Sequence, residues 1–296
     1  MIYELAALCT AASWAMTSIV SPIPAAHLGA IAFVRVRMAF VLVLLVAWLT
    51  VTGAWHAIPA GDVVTLALSG FFGIFVGDTA LFAAMNRLGP RRANILFSLN
   101  APISVFLGWV ALGEALPPRA LLGTMIVFAG VALAIFYGKR PSQLHQWESV
   151  RGPLWIGVAF GLAAAFAQAS GALIARPLMA GGLDPILAST VRIFVAVVAL
   201  SLVIGSGARF AQPLNPMTIR IAGLVLVSGF VGMAFGMTLL MFALSGGEVG
   251  IVSTLSATTP ALMLPLLWLR TGERPALGAW AGAALVVAGS ALIFSV

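Results

Sequence analysis

The sequence predicts an all-α integral membrane protein, with ten transmembrane helices forming two inverted five-helix repeats. Three observations carry this. Of 296 residues, 62% are hydrophobic and only 8% charged. Ten apolar runs of spanning length follow one another. A set of small-residue motifs occurs twice. A water-soluble domain typically carries ~25% charged and ~45–50% apolar residues. With a mean hydropathy of +1.13, this chain requires lipid as its solvent.

A membrane helix needs ~20 mostly apolar residues at 1.5 Å rise each. The first run, 2–20, follows no positively charged leader segment and is read as a retained helix. After Ser21-Pro22-Ile23-Pro24, a turn signal, come 30–51, with Arg35 and Arg37 near its start, and 63–85, with Asp78 and three glycines. Next are 93–112, interrupted by Pro102 and followed by Gly113-Glu114, and 119–137, after Pro117-Pro118. The most polar stretch, Gly138 to Gly152, reads as a linker. The runs then resume at 153–175, 186–205 with Arg192, 219–243, 249–269 with Pro260, and 276–295. The organisation is therefore a first repeat over 1–137, a linker over 138–152 and a second repeat over 153–296.

Ser69-Gly70-Phe71 recurs as Ser228-Gly229-Phe230, and Gly70, Gly73 and Gly77 recur as Gly229, Gly232 and Gly236. Thr79 matches Thr238, Gly113-Glu114 matches Gly272-Glu273, and Asp78 falls opposite Met237. Arg35 pairs with Arg192 and Pro102 with Pro260 at slightly smaller offsets. Five helices per half is an odd number, so the second half enters the membrane from the opposite side. Inverted repeats are a recurring plan of secondary transporters, with the substrate site near the midplane between them. Glycines four apart share a helix face and allow close backbone approach in lipid, so packing is the favoured reading of Gly73, Gly77, Gly232 and Gly236.

The net charge of +7 lies mostly in short connections, which points to topology rather than to nucleic acid. The connections after the third, fifth, seventh and ninth runs hold most of the basic residues. The positive-inside rule then places both termini outside the cytoplasm. The single cysteine, Cys9, excludes an intrachain disulfide or cysteine-rich metal site.

These motifs resemble the EamA family of the drug/metabolite transporter superfamily over essentially the whole chain. The resemblance rests on Arg35 and Arg192 early in the second helix of each half, Pro102 and Pro260 in the fourth, and the two Gly-Glu pairs. Gly123, Gly130, Gly282 and Gly289 in the fifth helices complete it. It implies a basket-like bundle around a central cavity, export of small molecules and, in the YddG-like branch, transport of aromatic and other amino acids. Relatives keep both termini in the cytoplasm, so the resemblance and the charge count imply opposite orientations.

Asp78 is the residue singled out for chemistry. A charge at mid-membrane costs ~2.5–3.5 kcal/mol on insertion scales, so it faces a cavity, a partner or a proton path. It is a candidate proton carrier, with a hydrogen-bonded structural carboxyl as the alternative. Arg35 and Arg192 either hold a substrate carboxylate, snorkel to headgroups or pair within the bundle; for Arg37 snorkelling is favoured. Glu114 and Glu273 read as caps of the helices that follow them. The expected cavity lining is Trp14, Thr17, Asp78, Phe82, Ser98 and Asn100 from the first half, with Phe166, Gln168, Ser256, Thr258 and Thr259 from the second. Such amides, hydroxyls and aromatic faces suit a zwitterionic or aromatic solute. Pro102 and Pro260 are expected kinks or gating points.

The leading function is a secondary transporter in the inner membrane. Its partners are a small-molecule substrate and the lipid bilayer, and it acts as a monomer without cofactor or metal. There is no P-loop for ATP hydrolysis and no HExxH or GxSxG motif for a membrane-embedded enzyme. A passive facilitator or channel for small solutes is the alternative, with a membrane-embedded enzyme ranked after it.

Overall fold

The computed structural model describes residues 1–114, 117–137, 152–271 and 276–294. They form an all-helical bundle, with no strand among the described residues. In order these are α1 (Ile2–Val20), α2 (Pro22–Leu28), α3 (Ala30–Thr52), α4 (Ala60–Gly70) and α5 (Gly77–Leu88), the last two joined by a π-helical turn, Phe71–Val76. Then follow α6 (Pro90–Ser98), α7 (Asn100–Leu112), α8 (Pro118–Phe136), α9 (Leu154–Ala180) and α10 (Pro185–Gly205). Another π-helical turn, Phe230–Phe235, joins α11 (Ile219–Gly229) to α12 (Gly236–Gly246); α13 (Val249–Ser256), α14 (Thr259–Thr271) and α15 (Leu277–Phe294) complete the chain.

Among the described residues seven helical spans are long and apolar enough to cross a bilayer, and α1 with α2, bent by 50°, makes an eighth. The chain is thus an integral multi-pass membrane protein. The remaining two expected runs are seen as the apolar helices α8 and α15. Most of the expected linker, 138–151, lies outside the described residues, as does Glu273.

Local chemistry explains the punctuation. Pro22, Pro90, Pro118 and Pro185 stand in first turns, where the missing N–H costs nothing. The Ser21–Pro24 gap, expected as a connection, is for this reason helical from Pro22. Asp184 caps α10 by accepting from the Leu187 N–H at 2.8 Å. Gly53 and Gly113 end α3 and α7 at φ 65° and 67°, the left-handed conformation that terminates helices.

Close helix packing uses the repeated glycines. A Cβ on Gly130 would lie 2.7 Å from the Gly282 carbonyl, and one on Gly289 would lie 2.7 Å from that of Gly123. α8 and α15 therefore touch backbone to backbone, as small residues permit in lipid. The two Ser-Gly-Phe motifs behave alike. Ser69 Oγ donates to the Gly171 carbonyl at 2.6 Å, and Ser228 Oγ lies 2.7 Å from Ser21 Oγ.

Two expected helices are broken. The run 93–112 divides at Leu99 into α6 and α7, and 249–269 divides at Ala257-Thr258 into α13 and α14. Pro102 and Pro260 sit in the first turns of the restarted helices rather than at the breaks. The freed carbonyls are met locally. Asn100 Nδ2 donates to Phe97 O at 2.6 Å, Thr258 Oγ1 to Leu255 O at 2.7 Å and Thr259 Oγ1 to Ser256 O at 2.8 Å.

Candidate functional site

Inside the bundle, α3 and α5 bring Arg37 and Asp78 together. Arg37 Nη1 donates to Asp78 Oδ2 at 3.2 Å, and both residues are buried. The guanidinium also lies over two rings, 5.8 Å from the Phe33 centroid and 5.3 Å from that of Phe82, a favourable cation–π placement. Phe33 and Phe82 meet edge to face at 4.8 Å. Its head fits because Gly232 has no side chain: a Cβ there would come within 2.9 Å of Arg37 Nη2.

Arg192 on α10 repeats the arrangement with a different partner. Its Nη1 reaches Met237 Sδ at 3.3 Å and Met241 Sδ at 2.9 Å, and Gly73 leaves the room, a Cβ there coming within 2.9 Å of Arg192 Nη2. Arg192 is fully buried and its Nε has no hydrogen-bond partner. Among the described residues two buried guanidiniums thus accompany one buried carboxylate, and of the three only Arg37 and Asp78 line the cavity described next.

Arg37 and Asp78 line a cavity of about 40 Å³ together with Trp14, Thr17, Phe82 and Gln168, and with Asn94, Phe97 and Thr259. Trp14 is held by its indole N–H on the Gly232 carbonyl at 3.0 Å and meets Phe97 edge to face at 6.3 Å. Roughly 10–15 Å³ accommodates one water. The cavity in this conformation therefore offers a volume far below that of an amino acid.

The EamA-like transporter family matches residues 1–136 and 155–295. The chain belongs to that family. A solved crystal structure matches with a TM-score of 0.76 at 17% identity, covering 98% of this chain and 95% of the other. It shows that the fold is shared. No curated protein sequence matches.

Within this EamA-like chain the expected residues divide. Trp14, Thr17, Asp78, Phe82, Gln168 and Thr259 meet at the cavity. Ser98 instead lines a separate apolar cleft and donates to Asn94 O at 2.8 Å. Asn100 and Thr258 serve the helix breaks, and Ser256 is buried outside the cavity. Phe166, two residues from Gln168 on α9, is 56% exposed on the outer face. Pro102 faces the apolar cleft, and the side chain of Pro260 lies outside the described ones.

The arginines require a correction. Arg35, expected as the counterpart of Arg192, donates to Ser201 Oγ at 3.1 Å, away from the cavity. The counterpart is Arg37, which does not snorkel because Asp78 and Gly232 give it an interior seat. Glu114 also differs from expectation. Its Oε2 accepts from the Val249 N–H at 2.8 Å, so it caps α13 rather than the helix that follows it, and its Oε1 lies 3.5 Å from Arg176 Nε. Sequence reading missed Asn94 and Phe97, although their spacing of three places them on one helix face.

Proposed function

We propose that the chain is a secondary transporter that exports small metabolites, amino acids of the YddG-like branch first among them, across the inner membrane. The observation that carries this reading is the buried Arg37–Asp78 pair at a polar and aromatic cavity, with a second buried guanidinium, Arg192, behind its lining. A guest carboxylate would complete the charge balance. Trp14, Phe82 and Phe97 would receive its apolar or aromatic body, and Asn94, Gln168 and Thr259 its polar groups. On this reading the ten helices act as two inverted five-helix repeats, 1–137 and 153–296, in a working monomer with both termini outside. The breaks at Leu99 and Ala257-Thr258 are where the helices bend to open the cavity.

Proton coupling, if carried by Asp78, takes the form of a competition. A proton and the Arg37 guanidinium seek the same carboxylate, so protonation frees Arg37 for the substrate. The ion pair equally favours a facilitator in which Asp78 serves only to seat Arg37. Uptake of labelled amino acids by the purified protein in liposomes, with and without a proton gradient, separates the two. A gradient effect that Asp78→Asn abolishes supports coupling. Saturable uptake indifferent to the gradient leaves the facilitator. Absence of amino-acid uptake overturns the substrate assignment.

A further inference from the structure

The residues lining the Asp78 cavity lie toward one end of the bundle. Ser21 directly follows α1, Met85 belongs to the last turn of α5, and Asn94 stands near the start of α6. At the opposite end α7 and α9 finish and α13 begins. There the chain gathers two carboxylates and one guanidinium: Glu114, Glu248 and Arg176. On α9, Arg176 is about 12 Å along the axis from Gln168 of the cavity, at 1.5 Å per residue.

Glu114 ties this end together. Its Oε2 accepts from the Val249 N–H at 2.8 Å, and its Oε1 lies 3.5 Å from Arg176 Nε. One side chain at the end of α7 thus holds both α9 and α13. Gly108 makes the room: a Cβ there would come within 2.8 Å of Glu114 Oε2 and 2.7 Å of Val249 Cγ1. In the other repeat the residues matching Glu248 and Val249 are Gly89 and Pro90. Proline has no N–H to donate, so the same bond cannot form at the start of α6.

The third member of the cluster is unengaged. Glu248 directly precedes α13, yet its side chain does not cap that helix. Its Oε2 is buried without a hydrogen-bond partner, although the charges of Glu114 and Arg176 both reach it. Arg176 Nε, at 3.5 Å from Glu114, also makes no hydrogen bond. Unmet buried donors and acceptors are costly, and both would be met if Arg176 turned from Glu114 to Glu248. Two carboxylates facing one guanidinium give this end two discrete arrangements, as switching elements have.

We propose that Glu114 is the latch of a gate at this end of the bundle, and that the gate opens by passing Arg176 from Glu114 to Glu248. α9 and α13 then stay joined, while α7 parts from them about its break at Leu99. The proposal deepens the transporter reading and rests on it.

Thiol modification tests the latch without any substrate. Its failure would therefore leave the amino-acid assignment standing, and absence of amino-acid uptake would leave the latch open to test. The probe position is Ser104, fully buried on the same face of α7 as Gly108. In a Cys9→Ala chain in lipid nanodiscs, which expose both membrane faces, the thiol of Ser104→Cys should react slowly with a charged methanethiosulfonate. Glu114→Gln should speed the reaction about tenfold, the factor that loss of one charge-assisted hydrogen bond carries. Val249→Pro, which removes the N–H and puts proline where the other repeat has Pro90, should do the same and keeps the test open if Glu114→Gln fails to fold. Glu248→Gln, which removes the alternative partner of Arg176, should slow the reaction below that of the parent. Ser189→Cys, equally buried but on α10, should stay unreactive throughout. The proposal is overturned if Ser104→Cys reacts at one rate with and without Glu114→Gln and Val249→Pro, if Glu248→Gln speeds it, or if Ser189→Cys becomes reactive alongside it, which would mark general loosening of the fold.

Discussion

Met237 stands to Arg192 as Asp78 stands to Arg37. The sulfur receives Arg192 Nη1 at 3.3 Å where the carboxylate receives Arg37 Nη1 at 3.2 Å, and the two partners occupy matching positions after the Gly-x-x-Gly-x-x-x-Gly pattern. One exchange of residue type thus leaves Arg192 facing sulfur where Arg37 faces a carboxylate.

Met237→Asp is expected to restore the missing charge. The variant should fold, since it gives Arg192 the partner that Arg37 already has, and should lose uptake of carboxylate-bearing solutes by tenfold or more, equivalent to about 1.4 kcal/mol. Met237→Leu, which keeps the site apolar, should transport far better than the aspartate variant. Equal transport by both would show that the charge surplus has no part in substrate binding.

The Arg37–Asp78 pair is expected to show strong coupling. Removing one partner, as in Arg37→Leu or Asp78→Leu, leaves a buried unpaired charge and should destabilise by about 3–5 kcal/mol. The double variant should cost much less than the sum of the singles. Thermal unfolding of the four proteins in one detergent measures this, and additive losses would show that the two side chains act independently.

The glycines divide by what they face. A Cβ on Gly70 would strike the backbone of Arg192, which cannot yield, so Gly70→Ala should give little folded protein. A Cβ on Gly232 would meet chiefly the movable tip of Arg37, at 2.9 Å. Gly232→Ala should therefore fold and yet lose transport, because the guanidinium is displaced from Asp78. Recovery of folded protein by size-exclusion chromatography, set beside liposome uptake, distinguishes the two outcomes.

Glu248, in the connection between α12 and α13, gives a pH dependence. Burial and the neighbouring Glu114 carboxylate raise its carboxyl above the ordinary 4.5, with Arg176 partly offsetting them. The folded protein holds this proton more tightly than the unfolded chain does. Its stabilising contribution is therefore complete below pH 4.5 and lost as pH rises through the range above it. Glu248→Gln should flatten that slope and unfold at a higher temperature than the parent at neutral pH. Glu114→Ala, which frees the Val249 N–H and Arg176, should instead lower stability by about 0.5–2 kcal/mol, as loss of a helix cap does. A parent slope that persists in Glu248→Gln would assign the effect elsewhere.

The positions of the spanning helices were legible because a bilayer imposes their length and composition, and Asp78 was legible because a mid-membrane charge demands a reason. What the sequence hid was rotation. Arg35 and Arg37 are two residues apart, which on a helix separates them by about 200°, so only one of the two can face the interior. A run of apolar neighbours on every side gives no moment to choose between them. The same geometry turns Phe166 outward while Gln168 reaches the cavity. The helix breaks were hidden for another reason. Pro102 and Pro260 are visible in the sequence, but the interruption falls before each of them, where Asn100, Thr258 and Thr259 take up the freed carbonyls.

The backbone contact between α8 and α15 bears on how the molecule stays whole. These are the last helices of the two family-matched segments, and their crossing is thinned to glycine on both sides. The union is a seam with its own adhesion, separate from the peptide that runs between the segments. A polypeptide cut between residues 138 and 152, or produced as two pieces, should close along that seam and assemble in the membrane. Broadening it with Gly130→Leu should leave the two pieces apart while the uncut chain, tethered, still comes together.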